Sequence, residues 1–355
     1  MGDFFNVNGT SIVDSDNILY VKTVTADTLS FKGGNIGSGA TNGYAMAGVV
    51  FGPPFSGPIA YTGIQKVSFA NDATSQHFTF PSGPTAQPNR RMSSAGIASL
   101  SHGYASGGYT FPAGYVNNAM KFPFSVAALS SNVVNHMEGV RGRAGGAQSQ
   151  TDGFNFGGFP NDRRNAIDKF PFATEASSAV GSINHPASPI GLYEVKGLSS
   201  VTHGYICGGI TYPFGYSNII FKFPFSSNGN AADTADLAVA TEGGCTVPNS
   251  EIGYYAGGST APNTVTGLTN TIQQFNMITD ANAVDTGDLA YTRRDGANAS
   301  SSINGYVIGG SGVGSYPSNN EGLSMVDKFP FASGGNGTDV GDLPSTQGNA
   351  AGVQG

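Results

Sequence analysis

The chain has 355 residues, 39% of them hydrophobic and only 11% charged, with a net charge of −7, 53 Gly, two Cys and no Trp. Sixteen Lys and Arg without a basic run exclude the clustered cations that displace counterions from nucleic-acid phosphates, two Cys exclude a disulfide framework, and no apolar stretch reaches the length of a membrane-spanning helix. Disorder is opposed by 23 Phe and 15 Tyr, because disordered segments are poor in aromatics, so many short strands joined by Gly, Asn and Pro turns are expected.

Residues 1–40 come first. Asp3 precedes any cation and no apolar core segment follows it, so the segment does not read as a secretory signal. Asn6–Asp14 and Ile18–Phe31 read as short strands between Asn-Gly and Asp-Ser-Asp-Asn turns. Forty residues bury too little apolar surface to stand alone, so they are expected to form a β-rich arm that docks on another surface, with residues 41–355 as one domain.

The domain is repetitive. A turn residue, Gly, an aromatic, two further residues and Gly-Gly or Ala-Gly recur as NGYAMAG from Asn42, HGYASGG from His102 and DGFNFGG from Asp152. The motif continues as HGYICGG from His203, IGYYAGG from Ile252 and NGYVIGG from Asn304. The marker glycines 43, 103, 153, 204, 253 and 305 are 60, 50, 51, 49 and 52 residues apart. KFPF follows at Lys121–Phe124, Lys169–Phe172, Lys222–Phe225 and Lys328–Phe331, with degenerate versions at Lys66–Phe69 and Gln274–Met277. A third marker ends on Leu237, Leu289 and Leu343, a place that Met137 and Ile183 take in other repeats.

Each repeat thus offers four strands. Strand A is rich in small residues (Ser94–Ser99, Ala144–Ser149, Ala297–Ser302), B is the GYxxGG run, C is KFPF and D ends on the Leu-like position. Four strands per repeat of about fifty residues predict an all-β, six-bladed β-propeller, and no 3.6-residue periodicity supports a helical solenoid. The chain begins its first repeat at strand B and stops in a strand A. Gln347–Gly355 is therefore expected to pair with Tyr44–Val50, closing the ring and leaving no edge exposed. The X-Gly pairs read as A–B hairpin turns with positive φ, which assigns His102 and His203 to turns rather than to a metal. Pro123, Pro171, Pro224 and Pro330 are expected to weaken or bulge the pairing of C with D.

No motif carries catalysis. His77, His102, His136, His185 and His203 form no HxxxH or HxH pair, and there is no CxxC. The Asp/Asn-rich stretches Thr279–Asp288 and Gly334–Asp342 lack EF-hand spacing, which leaves solvated turns as their reading. Nucleophile-elbow, P-loop and Rossmann signatures are also missing. The chain is therefore expected to be no enzyme, with no cofactor or metal. Binding has better candidates in the long B–C loops, which share one face with the D–A connections. They carry Phe51, Phe55 and Tyr61; Tyr109, Phe111 and Tyr115; Tyr212, Phe214 and Tyr216; and Tyr316. Pro-stiffened aromatic loops suit sugar or protein surfaces at low entropic cost. The same rings could instead fold back and cap the sheets, and both readings stay open.

The hydrophobic run into Gly-Gly, the later aromatic and the four-stranded period resemble kelch repeats across all six units, apart from the Trp that kelch repeats carry near their end. Leu289 or Leu343 would take its place. GYxxGG followed by KFPF, an Asn/Asp/Ala-rich stretch and GDL is similar to kelch-like propellers in virion proteins of marine bacteriophages, especially those infecting cyanobacteria. The segment from Asn6 to Phe31 resembles the start of phage fibre and appendage proteins. The resemblance implies a non-enzymatic structural virion component, such as a tail fibre, appendage or decoration. It would contact other virion proteins through its N-terminal arm, form a homo-oligomer within the assembly, and bind neither nucleic acid nor membrane. A host-receptor or glycan-binding adhesin using the aromatic face is the alternative. A kelch-type oxidase is less favoured, because Cys207 and Cys245 lie away from any His-rich segment.

Overall fold

A computed structural model of the chain describes residues 6–7, 10–11, 40–50, 59–60, 63–79, 91–110, 113–127, 131–133, 136–160, 165–186, 191–211, 215–261, 267–312 and 321–355. Among these residues there is no α-helix. The chain divides into two compact units, residues 1–32 and 33–355. In the first, Asn6–Val7 pairs antiparallel with Thr10–Ser11, shorter than the strand expected over Asn6–Asp14. The strand expected at Ile18–Phe31 lies outside the described residues.

The second unit contains six four-stranded antiparallel sheets. Sheet two runs Ala95–Ala98, His102–Ser106, Ala119–Pro123, Ser131–Val133. Sheet three runs Gly145–Gln148, Asp152–Phe156, Ala166–Pro171, Ser178–Ser182. Sheet four runs Lys196–Ser199, His203–Cys207, Ile219–Pro224, Ala232–Asp236. Sheet five runs Cys245–Pro248, Ile252–Ala256, Thr271–Asn276, Val284–Asp288. Sheet six runs Ala297–Ser300, Asn304–Ile308, Met325–Pro330, Thr338–Asp342. Sheet one takes its first strand from the end of the chain: Ala351–Gln354 precedes Asn42–Met46, Gly63–Ser68 and Thr74–Thr79 in pairing order. The pairing is Gly43 with Gln354 through Met46 with Ala351, so the tail seats on 43–46 rather than on the expected Tyr44–Val50. The six first strands contact one another in cyclic order, sheet two to three and onward to six, then one, then two again. The architecture is all-β and consistent with a β-propeller.

The repeat markers acquire physical reasons here, and one expectation is corrected. The marker glycines are not turn residues with positive φ. They are second residues of strand B, and none has a left-handed φ. Gly103 pairs directly with Phe122 across the sheet, Gly153 with Phe170, Gly204 with Phe223 and Gly305 with Phe329. In each case the Phe ring lies over the glycine, where a Cβ would collide with it. Left-handed backbone occurs instead at the Gly-Gly that ends strand B, for example Gly107 and Gly108 with φ of 62° and 104°. His102 and His203 do lie beside the A–B connection, each ring Nδ1 bonded to the preceding hydroxyl at 2.8 Å.

The second Phe of KFPF works between sheets. Phe124 stacks on Tyr44 of the preceding sheet (ring centroids 5.3 Å apart), Phe172 on Tyr104 (5.7 Å), Phe225 on Phe154 (4.9 Å) and Phe331 on Tyr254 (5.2 Å). Phe69 of sheet one stacks on Tyr306 of sheet six (4.8 Å). Where Met277 replaces the Phe, the Tyr205 hydroxyl donates to its carbonyl at 2.8 Å. The motif lysines of sheets two, four and six reach an acid on the next sheet's C–D turn: Lys121 to Glu175, Lys222 to Asp280 and Lys328 to Asp72. These half-exposed pairs contribute register more than energy.

Two further expectations shift. Where a bulge is recorded between C and D, it falls before the proline, as at Ile167/Asp168 and Val326/Asp327. Pairing with strand D ends at Lys169 and Lys328, so the missing N–H of Pro171 and Pro330 costs no ladder bond. The Asp/Asn-rich stretches weighed as calcium loops tie sheets together: Asn282 Oδ1 accepts the Asp236 amide and Asn336 Oδ1 the Asp288 amide, both at 3.0 Å. The Leu-like marker is buried in each repeat where it was identified, at Met137, Ile183, Leu237, Leu289 and Leu343. Cys207 and Cys245 are free, buried thiols.

Candidate functional site: the charged rim of the loop face

Two residues before each first strand, the chain turns into left-handed backbone. Ser93, Arg143, Glu194, Gly243, Asp295 and Asn349 have φ of 55°, 57°, 55°, 66°, 56° and 52°. Such conformations cost energy in residues other than Gly and persist only where the surroundings impose them. The cause is a circle of backbone hydrogen bonds. The Arg143 amide donates to Ser93 (2.8 Å), Glu194 to Arg143 (2.9 Å), Gly243 to Glu194 (3.3 Å) and Asp295 to Gly243 (2.6 Å). Ala350 then donates to Asp295 (3.2 Å), and Ser93 to Asn349 (3.0 Å). One residue from the approach to each sheet is thus linked to the next.

Beneath this circle the first strands leave little room. A Cβ on Gly96, Gly146, Gly197 or Gly352 would strike a neighbouring strand's backbone. The cavity lined by all six first strands measures about 40 Å³, space for a few waters. Chemistry is therefore confined to the rim.

The rim concentrates charge in a chain that has little. Arg143 contacts Glu194 at 2.9 Å, Lys196 contacts Asp295 at 3.1 Å, and Arg294 contacts Glu242 at 2.7 Å and Asp295 at 3.6 Å. All three carboxylates are buried, whereas the Arg143 side chain is 44% exposed. Burial, with the Glu194 and Asp295 charges adding to it, pushes the Glu242 carboxyl up to about 8. The folded chain therefore binds a proton that the unfolded chain, at the ordinary 4.5, has released. Stability is expected to fall as pH rises from about 4.5 to about 8, and Glu242→Gln is expected to flatten that slope. Urea unfolding of both proteins across this range measures it; an unchanged slope in the variant would contradict the assignment.

The B–C loops rise on the same side as short hairpins. Tyr109–Thr110 pairs with Gly114–Tyr115 and with Arg91–Met92, and Ile210–Thr211 pairs with Gly215–Tyr216 and with Leu192–Tyr193. Tyr115 packs edge-on against Tyr109 (5.2 Å) and Phe159 (5.7 Å), and its hydroxyl bonds Arg143. Tyr216 lies in the field of Glu242 and Arg294, and its hydroxyl is buried with no hydrogen-bond partner among the described residues. Of the expected binding residues, Tyr109, Tyr115 and Tyr216 are therefore half-buried beside the rim. Tyr115 caps its neighbours and meets the charges at once. Phe51, Phe55, Tyr61, Phe111, Tyr212, Phe214 and Tyr316 lie outside the described residues.

Sequence reasoning missed the rim and the side chains that brace it. Arg91, Arg141 and Arg293, each two residues before a circle position, are buried. Arg91 bonds the Asn118 carbonyl (2.9 Å) and side chain (2.8 Å), Arg141 pairs with Asp168, and Arg293 pairs with Asp327 (2.8 Å). In sheet one Gln65 and Gln347 form the uncharged equivalent at 2.8 Å. Asp168 and Asp327 directly follow a bulge, which re-aims them at the arginine. Among the described residues no group of three or more His, Cys, Asp and Glu could hold a metal ion.

No family model matches the sequence, and no curated protein matches it. Among solved structures the chain is similar to one described as the structure of YjhT, at 11% identity and a TM-score of 0.58, covering 74% of this chain and 87% of that one. At that identity the likeness concerns the fold alone.

Proposed function

We propose that residues 41–355 form a six-bladed, kelch-like β-propeller closed by the C-terminal strand. In this reading the protein is a non-enzymatic structural and recognition component of a bacteriophage virion, a tail fibre, appendage or decoration. Residues 1–40 dock it onto other virion proteins, and the loop face points outward. The cyclic contact order of the six first strands supports the architecture. The observation that carries recognition is the meeting of aromatic hairpins and ion pairs on one face, above an axis with space only for a few waters. The virion setting rests on the motif resemblance.

Deleting residues 1–40 is expected to leave a soluble, folded protein that no longer enters particles. The check is the amount of protein in purified virions after complementation with full-length or truncated chain. Normal incorporation of the truncated chain would overturn the docking role.

A further inference from the structure

We propose that the rim binds a neutral oligosaccharide, seating two successive sugar residues on two equivalent Tyr–Arg–Glu units. The inference rests on the recognition reading of the loop face and names its ligand. The first unit is Tyr115 with Arg143 and Glu194; the second is Tyr216 with Glu242 and Arg294. Both are built alike. The tyrosine closes the hairpin of sheet two or sheet four, and the ion pair comes from the approaches to the next two sheets. Tyr115 and Tyr216 are separated by 101 residues, as are Gly103 and Gly204, so the likeness follows from the repeat. Lys196 and Asp295, bonded at 3.1 Å, connect the two units: Lys196 lies in the field of Glu194, and Asp295 also meets Arg294.

The chemistry selects the ligand class. A carboxylate can accept about four hydrogen bonds and a guanidinium can donate five, so one Arg–Glu contact leaves both able to bind vicinal hydroxyls, which donate and accept in turn. A tyrosine ring beside each pair offers an apolar flank for the C–H face of a pyranose. The buried Tyr216 hydroxyl, unpartnered among the described residues, is a polar group in want of such a ligand. Three cations balance three carboxylates at the rim, and the whole chain carries −7. A polyanion would be repelled by the chain and would face Glu194, Glu242 and Asp295 directly, whereas a neutral polyol uses both signs of charge.

The test is calorimetric titration of the full chain with maltohexaose, cellohexaose and chitohexaose, beside hexagalacturonate as the acidic probe. At least one neutral hexasaccharide is expected to bind, with its disaccharide at least tenfold weaker. Tyr115→Phe and Tyr216→Phe are each expected to lose about tenfold in affinity, the effect of one hydrogen bond, with the unfolding midpoint unchanged for Tyr216→Phe. Absence of binding to all three neutral probes, tighter binding of hexagalacturonate, or undiminished affinity in both variants would overturn the proposal. Particle incorporation is read separately, so failure here with normal docking through residues 1–40 would leave the virion reading standing.

Discussion

Arg141→Leu is expected to lower the folding free energy by about 3–5 kcal/mol, the usual cost of stranding one partner of a buried ion pair. The Arg141 and Asp168 side chains are 2% and 0% exposed, and Asp168 Oδ2 also accepts the Glu138 amide at 3.0 Å. Without the guanidinium, this carboxylate keeps its place after the bulge but loses its counter-charge. Replacing both residues by leucine should recover much of the loss, since well-packed hydrophobes often substitute for a buried pair at little cost. Urea unfolding of the two single variants and the double variant measures the coupling. A double variant less stable than Arg141→Leu would show that the pair is not the source of the effect. Sheet one, which joins the same elements through Gln65 and Gln347, shows that the brace works without charge.

Removing residues 351–355 is expected to cost on the order of 5 kcal/mol, from the burial of Val353 and the loss of the backbone bonds to Asn42–Met46. The consequence exceeds the energy, because Asn42–Met46 becomes an open edge. Truncated protein should associate in a concentration-dependent way, as exposed edges do. Light scattering alongside chemical unfolding checks both effects. A monomeric truncated chain of unchanged stability would contradict the pairing.

The sheets were legible because every repeat must solve the same problem of packing against its neighbour. GY and the second Phe of KFPF recur since one stacks on the other across each junction, as Tyr44 and Phe124 do. The reason for the marker glycine was not legible. Asn-Gly and Asp-Gly favour hairpin turns, and local propensity gave no hint that Phe170 would lie over Gly153 from the facing strand. Close approach across a sheet and positive φ both select glycine, and only the register separates them. The bulge was displaced for a similar reason: proline marks where pairing ends, while the polar residue after Ile167 or Val326 marks where the strand is re-aimed.

The rim was the hardest part to read. Its residues differ in every repeat, from Ser93 to Arg143 to Glu194, because what they share is a backbone conformation and a circle of amide bonds. A signal does precede it in three repeats, an arginine two positions earlier at 91, 141 and 293. The aromatic loops pointed to the correct face, while the charges they meet are brought together only by the convergence of the sheets.

Closure by the C-terminal strand is the central claim, and amide hydrogen exchange in the full chain tests it most directly. Asn42 and Gly355 exchange backbone hydrogen bonds at 3.1 and 3.0 Å, and antiparallel alternation then directs the amides of Tyr44 and Met46 at the tail. Those two amides are predicted to be as strongly protected as the equivalent amides of His102–Ser106 in sheet two. Exchange at the rate of a free edge for Tyr44 and Met46, with Ala45 still protected by Gly63–Ser68, would contradict it.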